Sequence, residues 1–218
     1  MKGLIKKDLY NLSSYKMSLL IALIFCSCFV LMDNVVFGPV VFGVILGMIA
    51  LSTFNYDETS KSEKYILSLP VTKKEIVISK YILAIISSIL GTLLGMIISI
   101  VLVKGYNMIQ TSEIITLDME SLFSTTIGSM FGIALIQAIQ IPSIYKWGAE
   151  RGRIQMFVIL IAIAVLGTLL FGALKEIDFT FLANMFNQYG LIIIILLTII
   201  IYFISYKISL KIYKNKDY

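Results

Sequence analysis

Histidine is missing from all 218 residues. Its absence removes the commonest general base, the usual nucleophile–base triads and most zinc sites. Cysteine occurs only as Cys26 and Cys28, both inside one apolar run. Two residues apart on a helix, they face different ways. Neither a mutual disulfide nor a closed metal site is expected, and both read as packing residues. No G-x-x-x-x-G-K-[ST] loop is present, which excludes ATP binding in the P-loop manner. Charge is scarce too: 14% of residues are charged, against about 25% in soluble domains. The net charge of +5 forms no basic patch beside aromatic stacking positions, so nucleic acid is not an expected partner.

What the chain has instead is apolar length. Hydrophobic residues make up 59%, and the mean hydropathy is +0.94. Uncharged runs cover 17–32, 34–56, 81–103, 121–145, 154–174 and 179–206, with lengths of 16, 23, 23, 25, 21 and 28 residues. A spanning helix needs about 20. Five runs are long enough, and Lys16 can snorkel back to extend the first by a turn. The expectation is an all-α membrane protein in one domain over 1–218, with six transmembrane helices. Its sixth span falls at 189–206. The first run lacks a small-x-small cleavage site, so it is expected to be retained rather than removed as a signal peptide.

The basic residues give the orientation. Residues 1–16, 57–80, 146–153 and the tail from 207 hold 16 of the 18 Lys and Arg; only Lys104 and Lys175 lie in the opposite connections. Both termini are therefore expected in the cytoplasm, in a multi-pass cell membrane protein. Of the outer connections, the first is a tight turn at Asp33-Asn34. The second, near 104–120, reads as an irregular cap carrying Glu113, Asp118 and Glu120. The third, near 175–188, admits two readings: a segment dipping into the outer interface, or an elongated sixth helix.

Residues 1–15 place Met1, Leu4, Ile5, Leu9 and Leu12 on one side and Lys2, Lys6, Lys7 and Ser13 on the other. That stripe reads as a helix lying along the interface, with Lys6 and Lys7 as anchors. A frayed basic terminus is the plainer alternative. Loop 57–80 carries nine charges. Pro70 breaks any continuous helix and pushes Leu69 towards extended backbone. Thr72 and Glu75 form a capping-box pattern that restarts a helix into the third span. The loop thus reads as a short helix near 59–67, a corner at Leu69-Pro70 and a capped helix. Its Tyr65, Ile66, Leu67 and Leu69 form an apolar knob on the water side, which suggests a docking partner. A loop packed on itself is the alternative. Loop 146–153 carries Trp147, the only tryptophan, where interfacial anchors sit. A second contact with a cytoplasmic partner is compatible with it, although anchoring alone explains the residues.

Gly43 with Gly47, Gly91 with Gly95, and Gly128 with Gly132 are small-xxx-small pairs, which allow close helix approach or a dimer face. No ionisable residue falls inside an uncharged run, where ion-coupled transporters generally place one. Energy is expected from another subunit.

Over 54–81 the chain resembles the permease subunits of bacterial type-2 ABC exporters, and in particular the small six-span permeases of peptide-export and antimicrobial-peptide-resistance systems, such as the exporter of phenol-soluble modulins. The residues that carry the resemblance are Phe54-Asn55-Tyr56-Asp57-Glu58, Glu63-Lys64-Tyr65, Ser68-Leu69-Pro70-Val71-Thr72-Lys73-Lys74-Glu75-Ile76-Val77 and Ser79-Lys80-Tyr81. The resemblance implies an N-terminal elbow helix over 1–15 and a coupling helix in 57–80 that docks on a cytoplasmic ABC ATPase. It places Glu58, Tyr65, Leu69 and Pro70 at that contact. It further implies a second permease copy, identical or paralogous, a re-entrant outer segment near 175–188, and amphipathic peptides or lipid-like molecules as cargo. No cofactor is expected in this chain, since ATP and magnesium would bind the partner ATPase. A non-transporting immunity or sensor subunit that sequesters a peptide is the alternative. An intramembrane enzyme fits least, because the spans offer no paired acids or histidine.

Overall fold

The computed structural model describes residues 2–12, 16–31, 35–60, 62, 65–66, 70–109, 115–152, 154, 157–158, 161–162, 165, 168 and 180–215. Six helices order these residues: α1 (Lys2–Leu12), α2 (Lys16–Leu31), α3 (Phe37–Thr59), α4 (Lys73–Ile109), α5 (Met119–Trp147) and α6 (Thr180–Lys214). Residues 149–152 and the described residues from 154 to 168 are helical as well. No strand occurs among the described residues.

Among the described residues, four helices have the length and hydropathy to cross a membrane: α3, α4, α5 and the Gly190–Lys214 part of α6. At 23 residues α3 is about 35 Å long, enough for a bilayer core of about 30 Å. The six-span expectation is met at these four. α2 spans 16 residues, the length at which the sequence already needed help from Lys16. Most of the fifth run lies outside the described residues. So do the Asp33-Asn34 turn and residues 175–179. Thr180–Lys214 is one helix, which is the elongated form of the sixth helix over 180–188 rather than a separate dipping segment.

α3 is the central helix. Of its most apolar stretch 61% is buried, against 6% for α6, whose Ile and Leu side chains lie on the outside. Glycine makes the central crossing possible. A Cβ at Gly91 would stand 2.8 Å from the Phe42 carbonyl oxygen, and one at Gly95 would stand 2.8 Å from Pro39 Cα, so α3 and α4 touch backbone to backbone. Gly43 meets Thr92 of α4 and Ile133 of α5, and Gly47 meets Ile133 and Gln137 of α5, so the glycine stripe of α3 serves both neighbours. The third pair packs against no helix of this chain: a Cβ at Gly128 or Gly132 would meet nothing within 4 Å among the described residues. Cys28 is exposed, so it does not pack inside the chain as expected.

Two apolar clusters hold the ends of the bundle. One gathers Leu4, Phe54, Ile66, Val77, Tyr81, Ile141, Tyr145 and Tyr213 at the end carrying α1 and the tail of α6. The other gathers Val30, Val35, Phe42, Val103, Ile115 and Leu122 at the opposite end. There the side chain of Asn107 staples the connection, accepting from Ile115 N–H at 3.0 Å and donating to its carbonyl at 2.9 Å. Asp118 caps α5 by accepting from Glu120 N–H at 3.1 Å. Hydrogen bonds from Ser121 and Glu120 hold its carboxyl below the usual carboxylate range.

Between the clusters, polar groups link the helices. Pro142 lies inside α5 and supplies no N–H to the carbonyl four residues back, that of Ala138. Ser205 of α6 donates to that carbonyl at 2.5 Å. The Tyr81 hydroxyl of α4 lies 2.6 Å from Ser205 Oγ and 2.9 Å from Ser209 Oγ. A backbone group that lipid could not satisfy thus becomes a tie between three helices.

Candidate functional site

The approach of α3 to its end and the start of α4 are set locally. Thr72 and Glu75 form the reciprocal bonds of a capping box. Glu75 Oε2 accepts from Thr72 N–H at 2.9 Å and from its hydroxyl at 3.0 Å, while Thr72 Oγ1 accepts from Glu75 N–H at 3.3 Å. α4 therefore begins at Lys73, and Lys80 falls two turns in rather than in the loop. Likewise Asp57 lies within α3, whose last residue is Thr59. Charges read from the sequence as loop residues are helical and buried: Asp57 is 7% exposed and Lys80 5%.

A buried charge in such a place needs partners, and it has them. Lys80 Nζ lies 2.6 Å from Asp57 Oδ2 and 3.0 Å from Asp8 Oδ1, the latter on α1. It also donates to Thr53 Oγ1 at 3.2 Å and stands 5.1 Å from the centre of the Phe54 ring. Lys7 pairs with Asp57 and lies 3.5 Å from Asp8. Two acids and two bases make a neutral cluster that joins α1, α3 and α4. Ser62 adds the loop itself by donating to Asp57 Oδ1 at 3.0 Å.

A second tie runs to the neighbouring connection. Glu58 Oε2 accepts from Ala149 N–H at 2.7 Å. The chain can turn there because Gly148, which ends α5, has φ +85°, and a Cβ on it would stand 2.7 Å from Glu58 Oε1. Asn55, Glu58, Thr59, Trp147, Glu150 and Arg151 line a polar groove of about 510 Å³ beside this contact.

The residues singled out from sequence separate accordingly. Glu58 holds the 148–149 turn. Tyr65 is 69% exposed, whereas Ile66, expected in the same outward knob, is 5% exposed and packs into the cluster with Leu4 and Val77. Part of that knob thus seals the chain against itself. Pro70 is exposed, and Leu69 lies outside the described residues. Lys6 is exposed. Lys7, expected as an interfacial anchor, pairs with Asp57 in the charged cluster and keeps part of its side chain exposed. Trp147 is 40% exposed, with Lys146 Nζ 4.4 Å from its ring centre.

Asp8 is the residue that sequence reasoning missed. It stands alone among lysines in a basic segment, and its partner Lys80 is 72 positions away. No local signal pointed to it, because a lone acid in a basic segment reads as a solvated charge.

The arrangement contains no group of three or more His, Cys, Asp and Glu side chains suited to a metal ion among the described residues. Chemically it can bind, hold and transmit force. A family model described as "ABC-2 family transporter protein" matches residues 3–214. No curated protein and no solved structure matches the chain.

Proposed function

The chain belongs to the ABC-2 family of transporter proteins, and on that premise we propose that it is the permease subunit of an exporter worked by a separate ATPase docked on residues 57–80. Membership makes it a membrane component of an ABC transporter, with an ATPase as the implied partner. The rest is our reading. Its main support is the charged cluster of Lys7, Asp8, Asp57 and Lys80, which ties both flanks of the loop to α1. A push on the loop then reaches three helices together instead of bending one connection.

In this reading α1 is the elbow helix on the cytoplasmic face of the bacterial cell membrane, both termini are cytoplasmic, and Tyr65, Leu69 and Pro70 meet the ATPase. Glu58 serves from behind, fixing the 148–149 turn so that the polar groove beside Trp147 forms a second edge of the docking surface. A second permease copy completes the path, and the unoccupied Gly128–Gly132 face offers it close approach. Amphipathic peptides are the proposed cargo.

Co-purification with an ABC ATPase subunit from the same cell tests the reading. Leu69→Asp should abolish the complex, and Tyr65→Ala should cut stimulation of ATP hydrolysis several-fold. Full stimulation in both variants refutes docking at this loop. ATP-dependent peptide accumulation in inverted vesicles separates export from sequestration.

A further inference from the structure

A groove of about 490 Å³ runs between α4, α5 and α6, walled by Ile85, Met130, Phe131, Ala134, Ile195 and Ile199. Two hydroxyls also reach its wall, and each spends its hydrogen on the protein. Thr198 donates to the Ile194 carbonyl at 2.8 Å, and Tyr202 donates to Gln137 Oε1 at 2.9 Å. The groove opens sideways out of the bundle, where Ile199 is 59% exposed and Ile85 39%. One turn further along both helices it closes, because Tyr81 meets Tyr202 and Tyr206 edge to face at 5.8 and 6.0 Å. A pocket of this kind suits hydrocarbon and offers a polar ligand nothing to bind.

Its depth places it in one leaflet. At about 1.5 Å per residue, Tyr202 lies roughly 8 Å from Lys207 along α6, and Ile195 roughly 18 Å. Half of a bilayer core is about 15 Å thick. The groove therefore runs from just below the surface on the lysine side to the middle of the membrane, the depth of a lipid tail.

The same seam is basic where it leaves the membrane. Lys74 is exposed and stands eleven residues before Ile85, three turns away on the same face of α4. Lys73 Nζ donates to the Lys214 carbonyl at 3.1 Å, which brings the end of α6 against the start of α4. Glu75, the one acid in this first turn, is occupied by Thr72. Lysines at a membrane surface attract anionic headgroups. A second copy of the chain fits less well along this seam. Two copies in one membrane with the same orientation would bring their lysines together at one depth, where like charges repel.

We propose that one anionic diacyl phospholipid is a resident partner of this chain, with a tail in the groove between α4, α5 and α6 and its phosphate on Lys74 and Lys214. This requires only that the chain spans a membrane. It depends neither on ATPase docking nor on cargo.

The test is native mass spectrometry of the full chain released from mixed micelles of phosphatidylglycerol and phosphatidylcholine with identical tails. One phosphatidylglycerol should stay bound per chain, preferred roughly tenfold over phosphatidylcholine. Lys74→Gln should lower that preference about fivefold, the effect of one lysine at an anionic surface. Ala134→Phe should fill the groove and abolish retention of both lipids, and Thr198→Phe makes the same comparison if the first variant fails to fold. Phosphatidylglycerol with a diazirine in its tail should label Ile85, Met130 or Ile199. Equal retention of the two lipids by the unaltered chain overturns the proposal, as does retention that survives in a folded groove-filling variant. Label spread evenly over the exposed faces of α2 and α6 would show ordinary bilayer contact only and overturn it as well. So would a dimer of the chain that holds no lipid and shields Ile199 from label, which would put a second copy in the groove. With no ATPase present, failure of the docking reading leaves each of these outcomes unchanged.

Discussion

At the scale of single residues, burial decides what a charge is for. Lys80 in water would be one more positive mark of orientation, but enclosed beside Asp8, Asp57 and Thr53 it holds three helices in place. Removing one member leaves an uncompensated charge, which typically costs about 3–5 kcal/mol. Lys80→Met and Asp57→Leu are each expected to lose that much in denaturant unfolding. The double variant should lose less than the sum of the two, because the second change removes the charge stranded by the first. Strict additivity would show that the two side chains do not interact. None of this could be read from sequence. A count of charge-free runs detects what lipid excludes, and so it assigns every charge to water. It cannot see that Asp8, 72 residues away, makes Lys80 affordable inside.

Among elements, the crossing of α3 and α4 depends on the absence of side chains at Gly38, Gly91 and Gly95. Gly95→Val should force the helices apart and lower the thermal midpoint of the purified chain by many degrees. Gly105→Ala, on α4, meets nothing within 4 Å and should leave it unchanged or raise it, since alanine favours the helix by up to about 1 kcal/mol. Equal effects of the two would refute the backbone contact. Sequence identified all three glycine pairs without distinguishing them, because spacing is the same whether or not a partner arrives. Helix starts were more legible. Thr72 and Glu75 signalled the start of α4 through a local bond that needs no tertiary partner. The extension of α6 back to Thr180 was one of two open readings, because an apolar, aromatic stretch suits both a helix and an interface.

For the molecule as a whole, the concentration of 16 of its 18 basic residues in four segments predicts one orientation. With Cys26 and Cys28 replaced by serine, a cysteine introduced at Asn215 should react with a membrane-impermeant maleimide only after cells are opened. One at Asn107 should react in intact cells. The reverse pattern would invert the topology and move the proposed docking loop out of reach of ATP. The class of molecule was legible from bulk hydropathy, because transfer from water dominates everything else in this chain. Its internal ties were not, since they join residues far apart in sequence.

The charged cluster also has an order in time. Ribosomes deliver Lys7 and Asp8 first, Asp57 next and Lys80 last. Until Lys80 leaves the ribosome, two acids share one base, so the junction of α1 and α3 stands one charge short of neutral. Neutrality arrives only with α4, which makes Lys80 the residue that closes the cluster. A Lys80→Met chain should therefore stay open to protease in a pulse-chase experiment long after the unaltered chain has become resistant.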